Sequence, residues 1–413
     1  MARKMRDSGV EWIGEVPEGW EIDKARRCFR QTNTRGNSSL VLLAATQKYG
    51  MYPQDRLEGV VKVKEDTDLQ LFRTVHIDDF VISLRSFQGG FAHSKFEGVC
   101  SPAYQTFHAV RSVEPSYYSY LFKSDLFIQK INSLTVGIRE GKNINYRDFS
   151  ETLIPIPPLP EQRRIADYLD EKCAAIDGAV DELKRGIEDC KAWKKAIIFE
   201  AVTGKRRVGF NAEKQRGRVA ERPMRDSGIP WIGEIPEGWE VMKGKYLFSA
   251  RSGDAIRNEI LADNGTYPVY GGGEVIGFAD NWNCDANTVL IGRVGARCGC
   301  VTLLRNQAWA TDNALIISTN KCVRYITYLL IGANLNQFNS SNAQPLITAG
   351  KIKNLPFPFV CDLREQQAIA DYLNEKCAAI DALVAEKEEL IADLEAYKKS
   401  LIFELVTGKR EVA

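Results

Sequence analysis

The run EQRRIADYLDEKCAAIDGAVDELKRGIEDCKAWKKAIIFEAVTGKR at residues 161–206 returns, without a gap, as EQQAIADYLNEKCAAIDALVAEKEELIADLEAYKKSLIFELVTGKR at residues 365–410. Its apolar positions decide the secondary structure. From Leu169, the residues Cys173, Ile176, Val180, Leu183, Ile187, Cys190 and Ile197 follow at alternating spacings of four and three, broken only by Lys194. In the second copy Leu373, Cys377, Ile380, Val384, Ile391, Leu394 and Leu401 keep the same rows, broken by Lys387 and Lys398. A heptad seam with charges on the outer faces predicts two long helices that pair with each other. Pro160 suits a first helical turn, where its missing N–H costs nothing. Asp362 followed by Glu365 reads as a capping box, and Gly204 and Gly408, each ahead of Lys-Arg, read as C-terminal stops. About forty residues at about 1.5 Å each make a rod of roughly 60 Å. The competing reading is a pair of amphipathic helices docked on separate globular cores. Two copies at so long a period are no solenoid; one helix is used twice, with something different hung on each copy.

The rest of the chain has to supply those different parts. At 413 residues it exceeds one compact core, and 44% hydrophobic with 26% charged residues excludes wholesale disorder. No apolar run approaches a membrane span, and the start MARKMRDS has no apolar signal region, so a cytoplasmic address is expected. The ten cysteines then read as reduced thiols. Cys284, Cys298 and Cys300 lack common zinc spacing, and histidine occurs only at 76, 93 and 108, so no metal site is expected. Net charge is +1, but Lys and Arg exceed Asp and Glu by 18 to 14 over residues 22–160 and by 12 to 8 over 241–364. A basic run (Arg206, Arg207, Lys214, Arg216, Arg218, Arg222) lies in Thr203–Pro223. Local positive surface is compatible with nucleic acid.

A second repeat marks where each module begins: MRDSGVEWIGEVPEGWE at 5–21 returns as MRDSGIPWIGEIPEGWE at 224–240. Trp12, Trp20, Trp231 and Trp239 are read as aromatic anchors of an extended segment. In the first intervening region Phe80–Leu84 is a strand candidate that runs into the polar, glycine-bearing loop Arg85–Gly90. Ser116–Ser133 has helical periodicity, Gly137–Asn143 is a polar loop, and LIPIPP at 153–158 is an extended exit. The second intervening region does not resemble the first residue by residue. It alternates strands with glycine turns around Tyr267–Gly277, Thr288–Arg297 and Trp309–Ile317, and Phe338–Gln344 and Thr348–Lys353 read as a polar loop and its exit. The Gly271–Gly273 run misses the dinucleotide fingerprint and reads as a turn.

Catalytic motifs are missing. No Gly-Lys pair is followed by Ser or Thr, so there is no P-loop, and neither NPPY nor DPPY occurs. Two dissimilar, mildly basic modules and a repeated helix remain. The second module begins about twenty residues after the first helix and leads into the second helix, which favours antiparallel pairing and a circular, pseudo-two-fold α+β layout. A linker of that length spans at most roughly 66–72 Å. Two readers on one face of DNA sit roughly 34–36 Å apart or a multiple of it, a spacing such a rod is able to set.

The DSG-x-x-WIGE-x-PEGWE motif, the exit IPIPPLPEQRRIADYLDEK and the ending VTGKR together resemble the specificity (S) subunits of type I restriction–modification systems. The resemblance covers nearly the whole chain and is weakest in the two intervening regions. It implies two mixed α/β target recognition domains separated by two long antiparallel coiled-coil helices. The first domain is 1–160, the first helix 161–206, a basic linker 207–223, the second domain 224–364, and the second helix with its tail 365–413. It further implies a non-catalytic chain that reads a bipartite, asymmetric sequence in double-stranded DNA. Two methyltransferase (M) subunits would carry S-adenosylmethionine, and restriction (R) subunits would use ATP and Mg. No cofactor, metal or membrane is expected for this chain itself. Arg pairs with guanine and Asn or Gln with adenine in the major groove. The candidate DNA-binding residues are therefore Arg85, Ser86, Gln88, Arg139 and Lys142 in the first domain, and Arg293, Arg297, Thr311 and Asn313 in the second. The expected inter-helix packing residues are Leu169, Cys173, Ile176, Val180, Leu183, Ile187, Leu373, Cys377, Ile380, Val384, Ile391 and Leu394. The alternative function is a coiled-coil scaffold with two protein-binding modules.

Overall fold

A computed structural model describes residues 3–36, 39–57, 69–83, 90–134, 144–208, 222–255, 261, 265–339 and 345–412. Among these the α-helices are α1 (Pro115–Lys123), α2 (Asp125–Leu134), α3 (Tyr146–Glu151), α4 (Leu159–Val202), α5 (Val323–Gly332), α6 (Ala349–Asn354) and α7 (Leu363–Val406). The chain forms two compact units, Met1–Leu183 with Glu389–Ala413, and Lys184–Glu388. Both boundaries fall inside a long helix, so each unit contains half of α4 and half of α7.

The first unit opens on a hairpin of Met5–Asp7 with Glu15–Pro17. The next strand, Glu21–Lys24, pairs antiparallel with the proline-rich exit Leu153–Ile156, so the beginning and end of the module lie side by side. Between them is an antiparallel sheet in the order Phe29–Thr32, Gln105–Ala109, Phe80–Ile82, Phe91–His93. Its buried face is aromatic: Phe80, Phe107, Tyr118 and Phe122 meet the Phe29 ring edge-on at 5.0–5.6 Å. Such pairs add about 0.5–1.5 kcal/mol each beyond the area they bury. Leu401, Leu405 and Val406 of α7 complete this core, and the Tyr117 hydroxyl donates to the Val406 carbonyl at 2.7 Å. The helical run expected at Ser116–Ser133 is two helices. Ser124 turns extended (ψ 139°) and its hydroxyl bonds the Leu121 carbonyl at 2.7 Å, which ends α1.

The second unit repeats that frame, with its hairpin drawn from the second copy of the opening motif and its sheet from different residues. Met224–Asp226 pairs with Glu234–Pro236, and Glu240–Lys243 with the exit Pro356–Phe359. Its sheet runs Ser249–Ser252, Ala314–Ser318, Val289–Gly292, Val301–Leu303, the same order as in the first unit. Two regions without residue-by-residue likeness thus form separate sheets with the same strand order. The second unit also carries a three-stranded sheet in the order Val275–Ala279, Tyr267–Tyr270, Trp309–Ala310. Thr348–Lys353, read as the exit of a polar loop, holds the start of α6, which the Thr348 hydroxyl caps by accepting from the Lys351 amide at 3.2 Å.

α4 and α7 each run for 44 residues. Both end on a glycine in the left-handed region, Gly204 and Gly408 at φ 73°, with the Arg206 and Arg410 amides closing back onto the Glu200 and Glu404 carbonyls. A methyl group at either glycine would strike a proline of the opening hairpin in the same unit, Pro236 or Pro17. The repeated VTGKR is therefore both a helix stop and a seat for the repeated opening motif. Glutamates at the other helix ends hold the same motif. Glu161 accepts from the Trp20 indole at 2.9 Å and pairs with Arg3 at 2.6 Å. Glu365 accepts from the Trp239 indole at 3.3 Å and pairs with Arg222 at 2.7 Å. This corrects half of the expected capping box: Asp362 caps α7 by accepting from the Arg364 amide at 2.8 Å, but the Glu365 carboxylate is bound by tryptophan and arginine.

Within each unit the two half-helices run antiparallel. In the second, Lys194 reaches both carboxylate oxygens of Asp381 at 2.7 Å and Arg206 reaches the Tyr372 hydroxyl at 3.4 Å. In the first, Lys398 reaches both oxygens of Asp177 at 2.7 Å. Two of the three lysines that interrupt the heptad seam, Lys194 and Lys398, thus form cross-helix ion pairs. Of the expected packing residues, Leu169, Cys173, Ile176, Val180, Ile187, Leu373, Cys377 and Ile380 are buried. Leu183, Val384, Ile391 and Leu394 are half-buried.

Candidate nucleic-acid interface

In the second unit, loops that are distant in sequence converge at one end of the four-stranded sheet. The Arg293 amide donates to the Asn313 carbonyl at 2.9 Å, and the Thr311 amide to the Tyr270 carbonyl at 3.0 Å. The Gly295 amide reaches Pro345 at 3.1 Å, and the Gly253 amide reaches Ala314 at 3.0 Å. These bonds bring together the segments after Val289–Gly292, Trp309–Ala310, Tyr267–Tyr270 and Ser249–Ser252, and with them Arg293, Arg297, Thr311 and Asn313.

The four candidates are not equivalent there. Arg297 is exposed (56%) and its Nε lies 3.5 Å from a Glu274 carboxylate oxygen. Asn313 is exposed. Arg293 is half-buried, its Nη1 donating at 3.3 Å to the Ser252 hydroxyl and to the Asp312 carbonyl, while its Nε is buried without a partner among the described residues. A guanidinium held only by neutral oxygens keeps its charge available to an anion or a base edge. Thr311 is only 3% exposed, and its hydroxyl accepts from the Asn313 amide at 3.3 Å. It shapes the turn that presents Asn313, and so buried a hydroxyl does not reach a base. Ser252, Asp312 and Glu274 were not singled out by sequence reasoning, because their relevance comes only from the loop pairing.

In the first domain, Arg85, Ser86, Gln88, Arg139 and Lys142 lie outside the described residues. What flanks the first three is described: Phe80–Ile82 pairs antiparallel with Phe91–His93, and the Ser83 amide donates to Gly90 at 2.7 Å. Of the basic run in Thr203–Pro223, Lys214, Arg216 and Arg218 also lie outside, whereas Arg206 pairs with Glu200 and Arg222 with Glu365, each at 2.7 Å.

Among the described residues no group of three or more His, Cys, Asp or Glu is placed to hold a metal ion. Cys284 and Cys298 belong to different core clusters. Burial pushes the Cys284 thiol up to about 11 and the Cys100 thiol up to about 12, so both stay protonated near neutral pH. No helix among the described residues is long and apolar enough to cross a membrane.

Paired modules on a shared frame, differing in their loops, match one family in particular. The family described as "Type I restriction modification DNA specificity domain" matches residues 20–181 and 236–392. The chain belongs to this family. Both matched segments combine a module with the start of a long helix. The chain is 34% identical over 111 residues to the type I restriction enzyme EcoprrI specificity subunit of Escherichia coli, covering 26% of this chain and 27% of that one. With the StySPI specificity subunit of Salmonella potsdam it shares 26% identity over 209 residues, 46% of this chain and 44% of the relative. The matches thus span from about a quarter to under half the length of these two relatives. A more distant likeness, 23% over 447 residues, covers 97% of this chain and 96% of the putative MjaX specificity subunit of Methanocaldococcus jannaschii. In fold, it is similar to a solved chain from work on complex assembly and conformational transition of the type I R-M system, with TM-score 0.70 and 15% identity over 96% of this chain and 99% of that one. The HsdS subunit from Thermoanaerobacter tengcongensis is similar with TM-score 0.53 and 15% identity, over 96% and 98% of the two chains.

Proposed function

We propose that this specificity-family chain is the non-catalytic, sequence-reading subunit of a type I restriction–modification complex. Each module reads one half of a bipartite, asymmetric target in double-stranded DNA, and the long helices set the unspecified spacer. The repeated surfaces, the opening motifs and the exposed Lys-Arg that closes each VTGKR, dock two M subunits, which bring S-adenosylmethionine and modify adenine, while R subunits bring ATP and Mg. One observation carries this reading. The two units keep the same sheet order, opening hairpin and exit strand, yet differ in the amino-acid sequence of the loops between the sheet strands. A shared frame with unlike loops is what two readers of unlike half-sites require, and what two copies of one protein-binding module do not. Arg293, Arg297 and Asn313 are assigned to the second half-site, with Thr311 supporting them.

Binding of the chain together with its M subunits to duplex DNA tests the function against the scaffold alternative. A DNA reader loses affinity steeply with salt, as phosphate contacts release counterions, and keeps a preference for one sequence. A scaffold binds DNA weakly and without preference.

A further inference from the structure

Resting on that reading, we infer that Glu274 and Arg297 act as one unit that reads a G·C base pair in the second half-site. Arg297 donates to guanine O6 and N7, and Glu274 accepts from the cytosine N4 amino group. Glu274 ends the turn Gly271-Gly272-Gly273, where the Gly271 amide donates to the Glu274 carbonyl at 2.9 Å. Gly272 and Gly273 hold φ of 82° and 117°, a backbone that side chains rarely tolerate. The tip therefore presents one side chain, a carboxylate, on a backbone bare enough to enter a groove.

A carboxylate at that point needs a reason, because DNA phosphates repel it. Asp254, another acid beside an arginine in this cluster, has an internal one: it lies 3.7 Å from Arg251 and also accepts from Asn283 at 2.8 Å. Glu274 is 56% exposed, and among the described residues its carboxylate meets only Arg297 Nε, at 3.5 Å. That contact leaves both Nη atoms of Arg297 without a partner among the described residues. The pair thus presents N–H donors beside a carboxylate acceptor. The major-groove edge of a G·C pair offers the complement: two neighbouring acceptors, N7 and O6, beside a donor, N4. An A·T pair offers acceptor, donor, acceptor and does not match. Arg293, tied to Ser252 and Asp312, has no such acidic partner, so the assignment is specific to Arg297.

The test is enrichment of a randomised duplex library by the full chain bound to its M subunits, comparing wild type, Glu274→Gln and Arg297→Gln. Wild type is expected to enrich a second half-site containing a G·C pair. Each variant is expected to lower the preference at that pair by roughly 5- to 150-fold and leave the first half-site unchanged. If Glu274→Gln alters binding equally for all sequences, or relaxes an A·T position instead, Glu274 merely holds Arg297 and the assignment is overturned while DNA reading stands. A wild-type complex that enriches no sequence overturns the proposed function and this assignment with it.

Discussion

Reversing one cross-helix ion pair asks why lysines interrupt an otherwise apolar seam. Lys398 and Asp177 meet at 2.7 Å with side chains 27% and 50% exposed, and Lys194 and Asp381 at 2.7 Å with 31% and 60%. With the aspartates this open to solvent, each pair contributes about 0.5–1 kcal/mol. Orientation is where the effect grows. A parallel, in-register pairing would set Lys194 beside Lys398 and Asp177 beside Asp381, replacing two attractions with two repulsions of similar size. The antiparallel arrangement is then favoured by roughly 2–4 kcal/mol from these four residues. Lys398→Asp should therefore cost about 1–2 kcal/mol locally, and adding Asp177→Lys should recover most of it. Amide hydrogen exchange along α4 and α7 near residues 177 and 398 reads this as roughly a five- to thirtyfold acceleration in the single variant, with the amides near 194 and 381 as internal control. Salt at about 1 M should shrink the effect, since the Debye length falls to about 3 Å. Unchanged exchange in the single variant, or no recovery in the double, would refute the ion-pair account.

Further outcomes follow from the same geometry. Gly178 lies inside α4, and an added methyl group there would meet nothing within 4 Å, so Gly178→Ala should stabilise by about 0.5–1 kcal/mol; Gly204→Ala, at φ 73° and against Pro236, should destabilise by at least about 1–2 kcal/mol, both read by thermal unfolding. His93 is 6% exposed, and burial depresses its pKa although Asp78 lies 3.0 Å away and pulls the other way. The unfolded chain then binds the proton more readily, so this contribution is complete above about pH 6.5 and is lost as pH falls below it; a wild-type stability slope there that is absent in His93→Gln checks the sign. Inserting one heptad at matching places in both long helices should lengthen the unspecified spacer and leave both half-sites intact, as read by the motif the complex methylates.

How much of this was legible depends on whether the signal is local. The seam, Pro160 and the two stop glycines are local, and α4 and α7 follow from them. Ser124 is local too, but an isolated serine inside a periodic run looks like a tolerated surface residue, which hides the break between α1 and α2. Strand pairing is non-local: nothing in Glu21–Lys24 names Leu153–Ile156 as its partner, and the shared sheet order of the two modules rests on burial pattern rather than residue identity. Thr311 and Asn313 look alike as polar turn residues, and only the fold buries the one and exposes the other. Lys194 and Lys398 read as seam defects until the antiparallel register sets an aspartate against each. Glu274 reads as the end of a glycine turn, and its charge becomes informative only with Arg297 beside it.

The central claim, that two unlike readers on one chain direct modification to a two-part DNA target, is tested most directly by mapping methylated adenines across the genome of a host carrying this chain with its M subunit. The account predicts one asymmetric motif made of two short specified halves separated by a fixed unspecified gap. Methylation at a single contiguous motif, or methylation unaffected when this chain is removed, would contradict it.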